Sequence, residues 1–277
     1  MLNASIVLYN HKPSDIAVLI ETLRKSAVVS KIFLIDNSPE KNSEFEKFPC
    51  VYIFNNQNVG YGAAHNIAIK RTIEENIEFH LVVNPDVEFE TDILQKIEIF
   101  MQSNLQIGLL MPKVFSPEGK IQYLCKLIPT PLDLLFRRFL PKSWTKKRTE
   151  KFEMRSSGYN RIMHVPYLSG CFMFLRISAL HEVGLFDERF FMYPEDIDLT
   201  RRIYRKFRTV FYPEVSVIHE HTRASYGYGK LFFIHIINII RYFNKWGWIF
   251  DSERRKINRQ IITQINTINR KSDKYEL

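Results

Sequence analysis

The chain has 277 residues, 45% hydrophobic and 25% charged, with no low-complexity run. This excludes a disordered or fibrous protein and leaves one large or two small globular domains. Its net charge of +9 suits nucleic acid, an anionic membrane surface or a phosphate-bearing ligand, while Cys50, Cys125 and Cys171 lie far apart without metal-ligand spacing and read as free thiols of a reducing compartment.

The first ten residues, MLNASIVLYN, lack a basic lead and a cleavage site, so no signal peptide is expected. Residues 5–9 form a short apolar strand. Ser14 then caps a helix whose Ile16, Leu19, Ile20 and Leu23 recur at helical spacing. The second strand, KIFLID, ends in Asp36, and a third covers 51–55. It feeds NNQNVGYGAAHN, where Gly60 and Gly62 open a helix. A glycine loop entering a helix suits an anion or a close backbone approach, although neither the dinucleotide nor the P-loop spacing is met.

The stretch HLVVNPDVEFE follows. Its β-branched apolar run is a buried strand, and Pro85 ends it because proline donates nothing to a ladder. Asp86 is thereby set on a loop at the strand's carboxyl end, where open α/β sheets bind ligands. A carboxylate there can hold a divalent metal on a nucleotide diphosphate, or merely cap its own turn. Thr91 is expected to cap the next helix, and a strand covers 107–111. The order β-α-β-β-α-β-α-β implies a mostly parallel sheet flanked by helices, with Asp36, Asn58 to Gly62 and Asn84 to Asp86 along one edge.

Residues 116–162 are proline-containing, with basic clusters among Leu132, Leu134, Leu135, Phe136, Phe139 and Leu140. That mixture fits either a membrane-surface segment or a basic loop over the site. Residues 165–175 read as an apolar strand containing Gly170. In FFMYPEDIDLTRR, Pro194 suits a helix's first turn, and so puts Glu195 and Asp196 in that turn, where the dipole favours ionised carboxylates. Arg201 and Arg202 are expected in water, with Asp198 pairing one of them. Short strands at 210–212 and 215–218 end at His219, and His219 and His221 are both candidate metal or phosphate ligands. The stretch 230–248 is amphipathic, aromatic and basic. A last polar helix covers 253–271. No stretch reaches the ~18 apolar residues of a membrane span.

Seven pieces in order carry a resemblance: SIVLYN, LIDNS, NVGYGAAHN, VVNPDV, YLSGCFMFLR, GLFDERFFMYPEDIDLTRR and VIHEHTRASYG. The pattern resembles the inverting glycosyltransferases of family 2, in particular the bacterial rhamnosyltransferase-like branch. The resemblance implies a GT-A type fold, α/β with C-terminal helices: a nucleotide-sugar-binding half over 1–112, an acceptor-binding and catalytic half over 113–229, and amphipathic helices over 230–277. It implies that Asp36 contacts the base or ribose, and that Asn58, Gly60 and Asn66 belong to a loop closing over the nucleotide. Asn84 and Asp86 stand in the Asp-x-Asp position, with Asp86 carrying the metal charge. Asp196 matches the catalytic base, with Glu195 on the acceptor side. His219, or His221 in its place, completes a Mg²⁺ or Mn²⁺ site with Asp86.

These expectations define an enzyme that moves a sugar, rhamnose as first guess, from a UDP- or dTDP-sugar to a saccharide or lipid-linked acceptor in bacterial surface polysaccharide synthesis. Its expected place is the cytoplasm, peripheral on the inner face of the cell membrane, with no nucleic acid partner. One alternative is a sugar nucleotidyltransferase, which needs a glycine-rich basic loop after the first strand where this chain has YNHKPSD. Another is a non-catalytic membrane- or nucleotide-binding module, which has no need of Asp86, Asp196 and His219 together.

Overall fold

A computed structural model describes residues 1–135, 142–220 and 230–272. In chain order its elements are β1 (Leu2–Leu8), α1 (Pro13–Lys25), β2 (Val29–Asp36), β3 (Val51–Phe54), α2 (Tyr61–Glu74), β4 (Phe79–Val83), β5 (Val87–Glu88), α3 (Ile93–Gln102), β6 (Ile107–Phe115), β7 (Cys125–Lys126), α4 (Pro131–Leu134), α5 (Lys142–Phe152), β8 (Met163–His164), β9 (Tyr167–Leu168), β10 (Phe172–Arg176), α6 (Ile177–Val183), α7 (Pro194–Tyr204), β11 (Arg208–His219), α8 (Lys230–Trp246) and α9 (Ser252–Ser272).

Nine strands form the main sheet in the order β3-β2-β1-β4-β10-β6-β11-β5, with β8 added on β11. Strands β3, β2, β1 and β4 run parallel. Strand β10 enters antiparallel between β4 and β6, so the second half of the sheet is mixed. The apolar runs are apolar throughout because both faces are covered. Leu81 and Val83 pack with α1 and α3, whereas Val82 packs on the side of α7 and α8. One sheet thus joins the strands of residues 2–115 to those of residues 163–219.

Several boundaries differ from the sequence reading. Helix α1 begins at Pro13, and its start is tied by Asp15, which accepts the Lys12 N–H at 2.8 Å, not by Ser14. Helix α3 begins at Ile93, behind Asp92 and not Thr91. The apolar stretch 165–175 is two strands, β9 and β10, bent at Gly170. The segments 210–212 and 215–218 are one strand, β11, with a register shift between Tyr212 and Ser216. Arg201 is not in water: α8 and α9 cover that side of α7, and the guanidinium is buried against Asp251 at 2.7 Å.

Candidate active site

The parallel strands deliver the expected loops to one edge. Asp36 is buried at the end of β2; its carboxylate accepts the Ser38 N–H at 2.9 Å and the Tyr52 hydroxyl at 2.7 Å. Asn58 Oδ1 accepts from the Gly60 N–H at 3.0 Å and from Asn37 Nδ2 at 3.3 Å. Gly60 has φ +90°, and a Cβ there would stand 2.3 Å from the Phe191 carbonyl oxygen. Only glycine allows the loop to approach the turn before α7 this closely. Asn66 is buried within α2. Its Nδ2 donates to the Phe186 carbonyl and to Glu188, each at 2.9 Å, and its Oδ1 accepts the Phe186 N–H at 3.0 Å. Both amide atoms therefore brace α2 against that turn.

Asp86 meets His219 because β5 pairs antiparallel with β11, His219 opposite Val87, and because the Glu220 N–H donates to the Asp86 carbonyl. Asp86 Oδ1 lies 3.4 Å from His219 Nε2, yet this buried oxygen accepts no hydrogen bond among the described residues. Gln122 orients the imidazole. Its Nε2 donates to the His219 carbonyl at 2.6 Å, so its Oε1 must face His219 Nδ1, at 3.0 Å. The amide orientation gives Nδ1 the proton and leaves Nε2 as an acceptor on the side of Asp86. Asn84 Nδ2 lies 3.4 Å from the same Nε2. His221 lies outside the described residues. Among those described, no group of three or more His, Cys, Asp or Glu side chains forms a metal cage.

The first turn of α7 is the third component. Tyr193, just before Pro194, has φ +88°, a conformation that an L residue preceding proline rarely adopts. Helix α8 holds it: His235 packs edge-on to its ring at 4.4 Å, and Asn238 Nδ2 donates to the Met192 carbonyl at 3.1 Å. Glu195 and Asp196 are only 4% and 8% exposed. The sequence reading expected the helix dipole to govern Asp196; burial governs it instead. Loss of water raises its carboxyl pKa from 3.8 to about 6, although Lys126, the Gly170 and Ile197 N–H groups and the Tyr167 hydroxyl all pull downward. Burial, and then the Asp196 charge, lift Glu195 far above the usual carboxylate range. Glu195 Oε2 accepts no hydrogen bond among the described residues.

A short relay joins the two acidic loci. The Gly170 N–H donates to Asp196 Oδ2 at 3.0 Å. The Tyr61 hydroxyl lies 2.9 Å from the Gly170 carbonyl and 2.8 Å from Asn84 Oδ1, sharing its proton between them. Burial raises the Tyr61 phenol pKa, with further contributions from Cys171, Glu195, Asp196 and Asp86. The structure therefore brings Asp86, His219, Asn84, Glu195 and Asp196 around one tyrosine. Asp36 and Asn66 have their polar atoms engaged in internal bonds.

Sequence reasoning missed Tyr61, Gln122, Tyr167, Lys126 and His11. Tyr167 and Lys126 reach Asp196 through the two-stranded β7–β9 pair, a long-range pairing without a local signal. His11 follows β1, within electrostatic reach of Asp15, Asp86 and Asp36; its pKa is lowered chiefly by burial. Its position after a strand end was the one available clue.

No family model matches the chain. It is 27% identical over 206 residues to the N-acetylglucosaminyl-diphospho-decaprenol L-rhamnosyltransferase of Mycobacterium tuberculosis, which covers 69% of this chain but only 64% of that protein. It is 27% identical over 253 residues to the rhamnosyltransferase WbbL of Escherichia coli, covering 86% of this chain and 91% of that one. The crystal structure of GalNAc-T7 with UDP, GalNAc and Mn²⁺ superposes with a TM-score of 0.66 at 16% identity, over 88% of this chain and 48% of that one. The architecture is that of the GT-A type glycosyltransferases. Within it, the sequence relatives are rhamnosyltransferases and hexosyltransferases, in keeping with the resemblance to the rhamnosyltransferase-like branch of family 2.

Proposed function

We propose that this chain is an inverting, metal-dependent glycosyltransferase that moves a sugar from a UDP- or dTDP-sugar to a saccharide or lipid-linked acceptor in surface glycan synthesis. The rhamnosyltransferase relatives make rhamnose the first donor sugar to test. The observation that carries the reading is the buried Asp86 Oδ1, which accepts no hydrogen bond among the described residues, 3.4 Å from the Nε2 of an imidazole that Gln122 orients.

That donor set fits a hard divalent cation. One carboxylate oxygen and one imidazole nitrogen would supply two ligands, and diphosphate oxygens and water would complete the shell. Asp86 and His219 would hold Mg²⁺ or Mn²⁺, and the bound cation would supply Lewis-acid stabilisation of the leaving diphosphate. Gln122 keeps His219 in the competent tautomer, and Tyr61 fixes the Asn84 amide beside it.

On the acceptor side, Asp196 is the base. With a pKa of about 6 it is ionised at neutral pH yet basic enough to take the acceptor hydroxyl's proton. Burial and the Asp196 charge favour the protonated form of Glu195 beside it, which would spare the buried first turn a second negative charge. A single carboxylate base and direct displacement give inversion. Asp36, Asn58 and Gly60 shape the nucleotide edge, and Asn66 holds the turn that closes it.

Calorimetric titration of UDP and dTDP, first with EDTA and then with Mn²⁺, tests the donor half. Binding is expected to strengthen markedly with the metal, and equal affinity in both would remove the metal role. Thermal stabilisation by a panel of nucleotide sugars then identifies the donor.

A further inference from the structure

Helix α8 has two working faces. Inward, Ile239, Tyr242 and Phe243 are buried, and Asn238 holds the turn that leads into Glu195 and Asp196. Outward, Phe233, Ile237 and Ile240 are exposed at helical spacing. Asn244 continues that stripe and accepts the Trp248 indole N–H at 2.8 Å. Ile249, 65% exposed, and Phe250, 90% exposed, then project from the turn between α8 and α9.

This apolar apex is held firmly. Gly247 turns the chain at φ +99°. The buried Arg254 donates to the Trp248 carbonyl at 3.0 Å, and Arg255 donates to the Ile249 carbonyl at 3.2 Å. Exposed cations lie on the two helices that flank it: Arg241 on α8, and Arg255, Lys256 and Arg259 on α9. Lys151, Arg254, Arg255 and Arg259 line a groove of about 390 Å³ beside α9. Asp251, the acid nearest in sequence, is buried against Arg201, and Glu253 is turned to Arg201 and Arg205. Among the described residues, no helix is long and apolar enough to cross a membrane.

An exposed apolar tip on a turn held by two arginines, with further exposed cations on the flanking helices, is the chemistry of an interfacial anchor. We propose that the outer stripe of α8 and the apex at residues 248–250 dock this protein on an anionic lipid bilayer, with Ile249 and Phe250 entering the acyl boundary and the arginines engaging lipid phosphates. The positive charge matches the negative surface of such a bilayer. Because α8 also braces the turn before Glu195 and Asp196, docking brings the acceptor side towards the membrane, where a lipid-linked acceptor would be presented.

The test is co-sedimentation of the purified full chain with phosphatidylcholine vesicles, with and without phosphatidylglycerol, at low and high salt. The protein is expected to bind only the anionic vesicles and to be released by salt. The double variant Ile249→Ser, Phe250→Ser should partition about tenfold or more weakly, as should Arg255→Glu, Arg259→Glu. Leu105→Ser, a similarly exposed apolar site in the loop between α3 and β6, should behave as wild type. In a Trp144→Phe background, which leaves Trp246 and Trp248, brominated lipid should quench part of the emission through Trp248, a readout that needs no apex variant. Failure of the wild type to bind at low salt overturns the proposal, as does unchanged binding by either double variant. A concentration-dependent dimer abolished by the apex variant assigns the surface to a second copy and overturns it too. The assay uses neither nucleotide nor metal, so it stands or falls separately from the glycosyltransferase reading.

Discussion

The two sides of α7 show opposite electrostatic policies within a single helix. At its start, Glu195 and Asp196 are buried without a cation in direct hydrogen-bond contact among the bonds described, and burial lifts both pKa values. Along the side covered by α8 and α9, every charge is paired. Asp198 binds Arg202 at 2.8 Å and Lys245 at 2.6 Å, and Arg201 forks onto Asp251 at 2.7 and 2.9 Å while stacking over Trp246. Paired charges hold an element in place; a carboxylate buried at a cost in stability, as Asp196 is despite its neutral donors and Glu195 is with an unbonded Oε2, is retained where chemistry needs it. The paired side fixes α7 so that this end has a defined direction.

The largest effect should come from Asp196→Asn, which keeps shape and removes basicity. Turnover should fall ~10²–10⁴-fold, with little change in the Kd for UDP and Mn²⁺. Loss of nucleotide binding instead would assign Asp196 to the donor site. On the paired side, Arg201→Met leaves the buried Asp251 with only Arg254 beside it among the described residues and should cost about 3–5 kcal/mol in denaturant unfolding. It should not move the pH dependence of whatever activity survives.

Next in size is Gln122→Leu, which frees the His219 tautomer. Mn²⁺ affinity in the presence of UDP should weaken about 10–100-fold. Gln122→Glu still accepts the Nδ1 proton and should restore most of it. Equal Mn²⁺ affinity in both variants would show that Gln122 serves the fold alone.

The smallest effect sharpens the contrast most. The folded-state pKa of Asp196 lies above its ordinary value, so its contribution to stability is present below pH 3.8 and is lost as pH rises through about 6. Asp196→Asn should therefore stabilise the fold at pH 7 by roughly 1–3 kcal/mol, and the gain should vanish towards pH 4. A variant that is less stable at pH 7 would mean that the carboxylate is structurally satisfied.

Much of this was legible from local pattern. The strand ends at Asp36 and Asp86, the glycine-led helix, and Pro194 opening α7 all follow from periodicity and proline chemistry. What escaped depends on distant contacts. Nothing around Gln122 announces that a turn after β6 will carry it to the imidazole at the end of β11. Arg201 looks solvated on a helical wheel until α8 and α9, more than thirty residues later, cover it. Asp196 was located correctly but its environment was not, because the first-turn dipole is local while burial under β9, β7 and α2 is tertiary. Strand β10 likewise inserts between β4 and β6 by long-range pairing that alternation cannot reveal.

The central claim is that a buried Asp196 acts as base with a pKa of about 6. It is tested most directly by the pH dependence of sugar transfer by the wild-type protein at saturating donor and Mn²⁺. The rate should be flat above neutrality and fall about tenfold per pH unit below pH 6, as Asp196 takes up the proton it must accept from substrate. A rate that stays level down to pH 4.5, with the fold intact, would contradict that assignment.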